Sequence, residues 1–199
     1  MDRSSNLLIA CALKKEAKGL KKHLQEGRQV LVTGLGVDRT LRTLEQVLEK
    51  TPPALLVFTG MCGQLDPELG LGDFVFPESW GYESGTEFRI DDVVLKILKN
   101  TGWEVCGKGL TVRIPVVRGK DRLRLFHQSG ARICDMEAAA AMMISAAYGG
   151  PCIAPKIVSD TADSGMLAFY RNFGKNIDLL GGYISRLVDI LEKNVPISP

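Results

Sequence analysis

Short apolar runs alternate along this chain with stretches of helical period, and that alternation restricts the fold more than any single motif. Leu7-Leu8-Ile9-Ala10-Cys11 and residues 29–33, 54–59, 72–77, 109–117, 131–134 and 151–159 read as strands. Most are apolar throughout, the pattern of strands buried on both faces beneath helices. Between them, residues 12–24 carry Leu13, Ala17, Leu20 and Leu24 at three- to four-residue spacing, and a second helix carries Leu41, Leu44 and Leu48 before Pro52-Pro53. Further helices are predicted over 91–100, capped by Asp91 or Asp92, over 120–128, ended by Gly130, over 137–148, and over 166–193 with a bend at Gly181-Gly182. Residues 78–89, polar and glycine-containing, read as a loop. Strands alternating with helices over short connections predict an α/β fold, a three-layer α/β/α sandwich with a central mixed sheet. One domain over 1–199 fits the 199 residues.

The bulk composition excludes several classes. With 45% hydrophobic residues, 24% charged and a formal net charge of +2, the chain has no charge excess to recruit nucleic acid. Lys14, Lys15, Lys18, Lys21 and Lys22 lie at helical spacings and read as a solvated helix face. No apolar run approaches the ~18 residues of a membrane span, and Met1-Asp2-Arg3-Ser4-Ser5-Asn6 leads into a strand without a signal-peptide pattern. Cys11, Cys62, Cys106, Cys134 and Cys152 are scattered and form no C-x-x-C pair. They read as small buried hydrophobes in a reducing cytoplasm, with no metal site.

The chemistry concentrates in acids at junctions. Glu16 and Glu137 stand where strands give way to helices, and Asp160 ends the Lys156-Ile157-Val158-Ser159-Asp160 run. Ligands of α/β sheets sit outside the carboxyl ends of the strands. Three acids at one such edge suit work on a sugar: leaving-group protonation, hydroxyl binding and activation of a water. Gly34-Leu35-Gly36 and Gly60-Met61-Cys62-Gly63 read as turns where backbone can approach a ligand. The first is no dinucleotide fingerprint, because Arg39 stands where a third glycine would be. His23 and His127, the only histidines, accompany no nucleophile elbow, so a Ser-His-Asp or Cys-His hydrolase is poorly supported.

Several blocks together resemble the purine nucleoside phosphorylase / methylthioadenosine-adenosylhomocysteine nucleosidase superfamily, over nearly the whole chain from Leu7 to about Leu191. They are Ala12-Leu13-Lys14-Lys15-Glu16, Thr33-Gly34-Leu35-Gly36, Thr59-Gly60-Met61-Cys62-Gly63 with Leu65-Asp66-Pro67 and Gly72-Asp73, Asp135-Met136-Glu137 with Ala138-Ala139-Ala140, and Ser159-Asp160-Thr161-Ala162-Asp163. The last two, in this order and spacing, are the specific part. The resemblance implies a nucleoside phosphorylase-like fold and cleavage of the N-glycosidic bond of a purine nucleoside or 5′-modified adenosine. It implies that Asp160, with Ser159 beside it, protonates or hydrogen-bonds purine N7, and that its carboxyl is raised by desolvation to do so. Met136 would pack on the ribose, Glu137 would accept from its hydroxyls, and Glu16 would activate the attacking water. Gly34, Gly60, Met61 and Cys62 would contact substrate at the two glycine turns. No metal or organic cofactor is implied, and the expected assembly is a homodimer. Glu16 favours water over phosphate as nucleophile; a phosphorylase, or a nucleoside-binding protein without turnover, is the alternative.

Three departures from the family pattern bear on the substrate. The segment 78–89 is short and leaves Trp80, Tyr82 or Phe88 as substitutes for the aromatic contacts of relatives. Met61-Cys62 replaces a hydroxyl-bearing turn. Ile114-Pro115-Val116-Val117-Arg118 stands where a purine-stacking aromatic is usual. A shortened loop predicts a pocket open at the ribose 5′ side, suited to a 5′ group larger or more apolar than methylthio.

Overall fold

A computed structural model of the protein describes residues 7–162 and 165–194. Asp163 of the Ser-Asp-Thr-Ala-Asp block lies outside the described residues. The chain opens with strand β1 (Leu7–Cys11), helix α1 (Lys14–Leu20), β2 (Val30–Val32), α2 (Val37–Leu48) and β3 (Leu55–Phe58). These strands are parallel, with β1 between β2 and β3, and β10 (Cys152–Ile153) outside β3. Every side chain of β3 is buried, as an apolar run covered on both faces requires.

The Gly60 segment is a strand, not the turn read from sequence. β4 (Gly60–Gln64) continues β3 after Thr59 and enters a second sheet, where it runs parallel to β11 (Lys156–Asp160) with Gly60 opposite Lys156. The run expected over 151–159 is likewise interrupted: β10 gives way to β11 across Ala154-Pro155, where proline can offer no amide to a ladder. The Thr59 hydroxyl donates to the Pro155 carbonyl (2.9 Å), tying the two crossings together.

The second sheet also contains β5 (Phe74–Val75), β6 (Ser79–Tyr82), β7 (Glu87–Arg89), β8 (Lys108–Thr111) and β9 (Ala131–Asp135), in the order β5-β11-β4-β9-β8-β6-β7. Its β4/β9, β5/β11 and β6/β7 pairs are antiparallel, so the central sheet is mixed, as expected. The predicted loop 78–89 is therefore the β6–β7 hairpin. Its polar composition hid a strand pair whose Trp80 is wholly buried. The strand expected over 109–117 ends at Thr111 and leaves 112–118 irregular, where Pro115 breaks the ladder pattern.

The remaining helices are α3 (Asp92–Asn100), α4 (Gly119–Ser129), α5 (Ala138–Ala147) and α6 (Gly165–Asn194). Asp91 caps α3 by accepting from the Val93 and Val94 amides, and Gly130, at φ 67°, closes α4. α5 packs on α2, and α6 packs on α1, β4 and β11. Gly181, expected to bend α6, lies within one unbroken helix. A Cβ there would sit 2.4 Å from the His23 ring, and one at Gly19 would sit 2.7 Å from Ile177. These two glycines permit the close approach of α1 and α6. The lysines of 14–22 are all exposed, as a solvated face should be.

Candidate active site

Glu16, Glu137 and Asp160 meet at one cavity of about 360 Å³. Met61, Cys62, Met136 and Ser159 also line it; Gly34 and Gly60 do not, and Leu35 stands in place of Gly34. Its remaining wall is largely aliphatic, with Val112, Pro115, Val116 and Val117 from the segment after β8. Trp80, Tyr82 and Phe88 are not in the wall. The Trp80 indole N–H instead donates to the Ala154 carbonyl (3.1 Å), inside the core.

Glu16 is the third residue of α1 and reaches back to accept the Leu13 amide (2.9 Å), one half of a capping box. Its other oxygen accepts the Met61 amide of β4 (3.1 Å). A side chain at position 60 could not coexist with this arrangement, since a Cβ would lie 2.9 Å from Glu16 Oε1. Burial raises the Glu16 carboxyl above its ordinary value, against the opposing pull of Lys156.

Glu137 occupies the N-cap position of α5 but makes no cap bond with its side chain. Asp135 and Thr111 fill that role: Asp135 accepts the Ala138 amide (2.9 Å), and Thr111 Oγ1 accepts the Ala139 amide (2.8 Å) while donating to Asp135 (2.8 Å). Glu137 is thereby left to turn to the cavity, where it accepts the Gly36 amide (2.7 Å). Burial, with Asp135 as a like charge nearby, pushes its carboxyl up to about 7.

Lys156 counterbalances these acids. Its side chain is buried, its ammonium lies 2.9 Å from Asp135 Oδ2, and it stands 4.5 Å from the centre of the Phe58 ring. Burial works against its charge, but Asp135, Glu137 and Glu16 outweigh that and hold its proton more firmly than usual. A buried ammonium is tolerated only with such partners.

Asp160, which the resemblance casts as a desolvated acid, has a counter-charge beside it. Its carboxylate is paired with the guanidinium of Arg122, and its other oxygen accepts the Ser159 hydroxyl (2.8 Å). Arg122, from α4, is 5% exposed and lines the cavity. Gly63 lets the pair lie flat on β4, for a Cβ there would be 3.1 Å from Arg122 Nη1. Burial pushes the Cys134 thiol up to about 12 and the Cys62 thiol well above its usual value, so neither wall cysteine is a ready nucleophile. Among the described residues no cluster of three or more His, Cys, Asp or Glu is placed to hold a metal.

Sequence reasoning missed Lys156 and Arg122. Lys156 had a signal, a lysine opening an otherwise apolar run. Arg122 had a weaker one: it lies three residues before Leu125, so both fall on the buried face of an otherwise basic helix.

A mixed sheet covered by helices, with carboxylates gathered at one cavity, places the chain in the layered α/β class. The sequence matches the phosphorylase superfamily over residues 15–190, and the chain belongs to that family. Solved structures of the same fold include a mutant 5′-methylthioadenosine/S-adenosylhomocysteine nucleosidase of Helicobacter pylori with 5′-methylthioadenosine in its active site, at 15% identity and TM-score 0.80, covering 94% of this chain and 99% of that one. A putative nucleosidase of the same type from Borrelia burgdorferi, bound to adenine, is 18% identical with TM-score 0.81 over 92% of this chain and 99% of its own. Futalosine hydrolase of Helicobacter pylori is 14% identical with TM-score 0.79, covering 92% of this chain and 97% of that one.

Proposed function

We propose that the protein hydrolyses the N-glycosidic bond of a purine nucleoside or 5′-modified adenosine and releases the free base. The observation that carries this reading is the meeting of Glu16, Glu137 and Asp160 in one cavity of nucleoside size. Glu137 accepts from the ribose hydroxyls with Met136 against the sugar, Glu16 takes a proton from the attacking water, and Asp160 serves the N7 side of the leaving base. The transition state carries positive charge on the ribose and negative charge on the base, and anionic Glu137 stabilises the first. Water is favoured over phosphate because the Gly36 and Met61 amides, which could cradle an anion, already donate to Glu137 and Glu16. The neighbours that bind 5′-methylthioadenosine and adenine support the ligand class. At the mouth, Leu35 and Val117 are each 50% exposed, which suits an apolar 5′ substituent larger than methylthio.

The test is free-base release from a panel of purine nucleosides with graded 5′ groups, each with and without phosphate, using Asp160→Asn as control. Release without phosphate, lost in the variant, is expected. Release only with phosphate would make the protein a phosphorylase. Saturable nucleoside binding without release would make it a binding protein, and turnover of methylthioadenosine above every larger 5′ group would remove the proposed 5′ preference.

A further inference from the structure

The hydrolytic reading sets the leaving base beside Asp160, and the role assigned to Arg122 rests on that reading. Both oxygens of Asp160 are already engaged, one by the Ser159 hydroxyl and one by Arg122. The carboxylate is thus an acceptor whose charge is met by a guanidinium. Arg122 is the donor-rich member of the pair. Its Nη1 donates to the Gln64 carbonyl (3.0 Å) and the Asp160 carbonyl (3.2 Å), and its Nη2 to Asp160 Oδ2. Nε is buried without a hydrogen-bond partner among the described residues. The cavity-side donor is instead on Nη2, which carries two N–H groups and spends one on Asp160, so the guanidinium that lines the cavity keeps a further N–H for a ligand. Glu16 and the Gly36 and Met61 amides stand at the other end, and among the described residues that line the cavity Arg122 is the one cation.

We infer that Arg122 is a catalytic residue of the leaving-group end: its guanidinium donates to the purine and stabilises the negative charge that develops as the base departs, while Asp160 positions it. In the step, the water oxygen bonds to C1′ as the C1′–N9 bond breaks, and the electron pair of that bond passes into the purine. Glu16 takes one proton from the water and returns it to solvent, and the departing purine anion takes one up from solvent, so no net proton is gained or lost. Arg122 transfers no proton and keeps its charge throughout. A fixed cation in a mostly apolar cavity acts where charge appears, with little reorganisation. This differs from a lone carboxylic acid at N7, because removing the cation should then leave the acid in place or free it.

The experiment compares wild type, Arg122→Met and Arg122→Lys on two substrates: the purine nucleoside that the wild type cleaves best, and p-nitrophenyl β-D-ribofuranoside, whose leaving group needs little stabilisation. The expected result is a loss in Arg122→Met about 10²–10³ times greater for the purine nucleoside than for the nitrophenyl riboside, with Arg122→Lys between. Thermal melts report folding, and if Met is not tolerated, Arg122→Ala with added guanidinium ion at non-denaturing concentration should recover purine cleavage selectively. An equal loss on both substrates, or purine cleavage unchanged or faster in Arg122→Met, would overturn the role of Arg122 alone. Wild type that cleaves neither substrate would overturn the hydrolytic reading and this role with it.

Discussion

The two ends of the cavity take carboxylates out of water by different means. At the Glu16–Glu137 end, each acid accepts backbone amides, and the compensating cation, Lys156, is bonded to Asp135 instead. Charge there has few hydrogen bonds and is balanced from a distance, which is why burial pushes Glu137 up to about 7. At the Asp160 end the counter-charge is in direct contact, through Arg122. The difference teaches that three similar acids need not be three similar reagents. Burial raises both the Glu16 and Glu137 carboxyls, Glu137 to about 7, whereas Asp160 has a guanidinium in direct contact.

The largest expected effect comes from removing the distant cation. Lys156→Met leaves Asp135 buried without its ion pair and should cost about 3–5 kcal/mol, read as a fall in Tm of roughly 2–4 °C per kcal/mol. Adding Asp135→Asn to it should restore part of that stability, and a double variant as unstable as the single one would remove the charge-balance account. Next, Glu16→Gln should slow base release by about 10³-fold, and, because its single carbonyl oxygen can keep only one of the Leu13 and Met61 amides, should also cost about 1–3 kcal/mol of stability, read by thermal melts. Free-purine binding, which belongs to the other end, should change little, and calorimetry with the free base checks this.

A finer division comes from the two glycines of β4. Gly60→Ala would press on Glu16 and Gly63→Ala on the Arg122–Asp160 pair, each at about 1–3 kcal/mol of overpacking. The first should lower kcat with base affinity retained, and the second should weaken base binding as well. Identical kinetic losses in both variants would erase the distinction between the ends. The smallest effect concerns pH. If Glu137 must be ionised to meet the ribose, kcat/KM should fall on the acid side with an apparent pKa near the value of about 7. Stability runs the opposite way. A carboxyl raised in the folded state contributes stability that is fully present below its unfolded value and is lost as pH rises through about 7. Glu137→Gln should therefore flatten the Tm-versus-pH curve between about 4.5 and 7 while depressing activity.

Much of the architecture was legible because buried strands announce themselves as apolar runs. β1 and β3 are of that kind, and two helices are marked by caps, Asp91 and Gly130, that stand in the sequence. The strands that escaped notice are those whose residues answer to something other than burial. β4 begins with glycine because Glu16 lies against it, and the β6–β7 hairpin is polar on its outer strand. At the site, the acids could be placed from their junctions, but their partners could not. Arg122 reaches Asp160 across 38 residues of sequence, and nothing local to α4 distinguishes it from the exposed Arg124 beyond its helical phase. Gly36, not Gly34, supplies the amide to Glu137, a choice made by backbone direction that composition does not encode.

The crossing of β3 into β4 and of β10 into β11, fastened by Thr59 and Pro155, has a metrical consequence. Gly60 and Gly63, which seat the two ends of the cavity, are three residues apart on one strand, about 10 Å at the usual rise of a strand. Lys156 and Asp160 are likewise fixed along the neighbouring strand. The span between the ends is thus a ruler made of backbone, independent of how the irregular segment 112–118 is arranged at the wall. A ligand is gauged by the distance between its own polar termini, and what projects sideways from it is left to the softer rim.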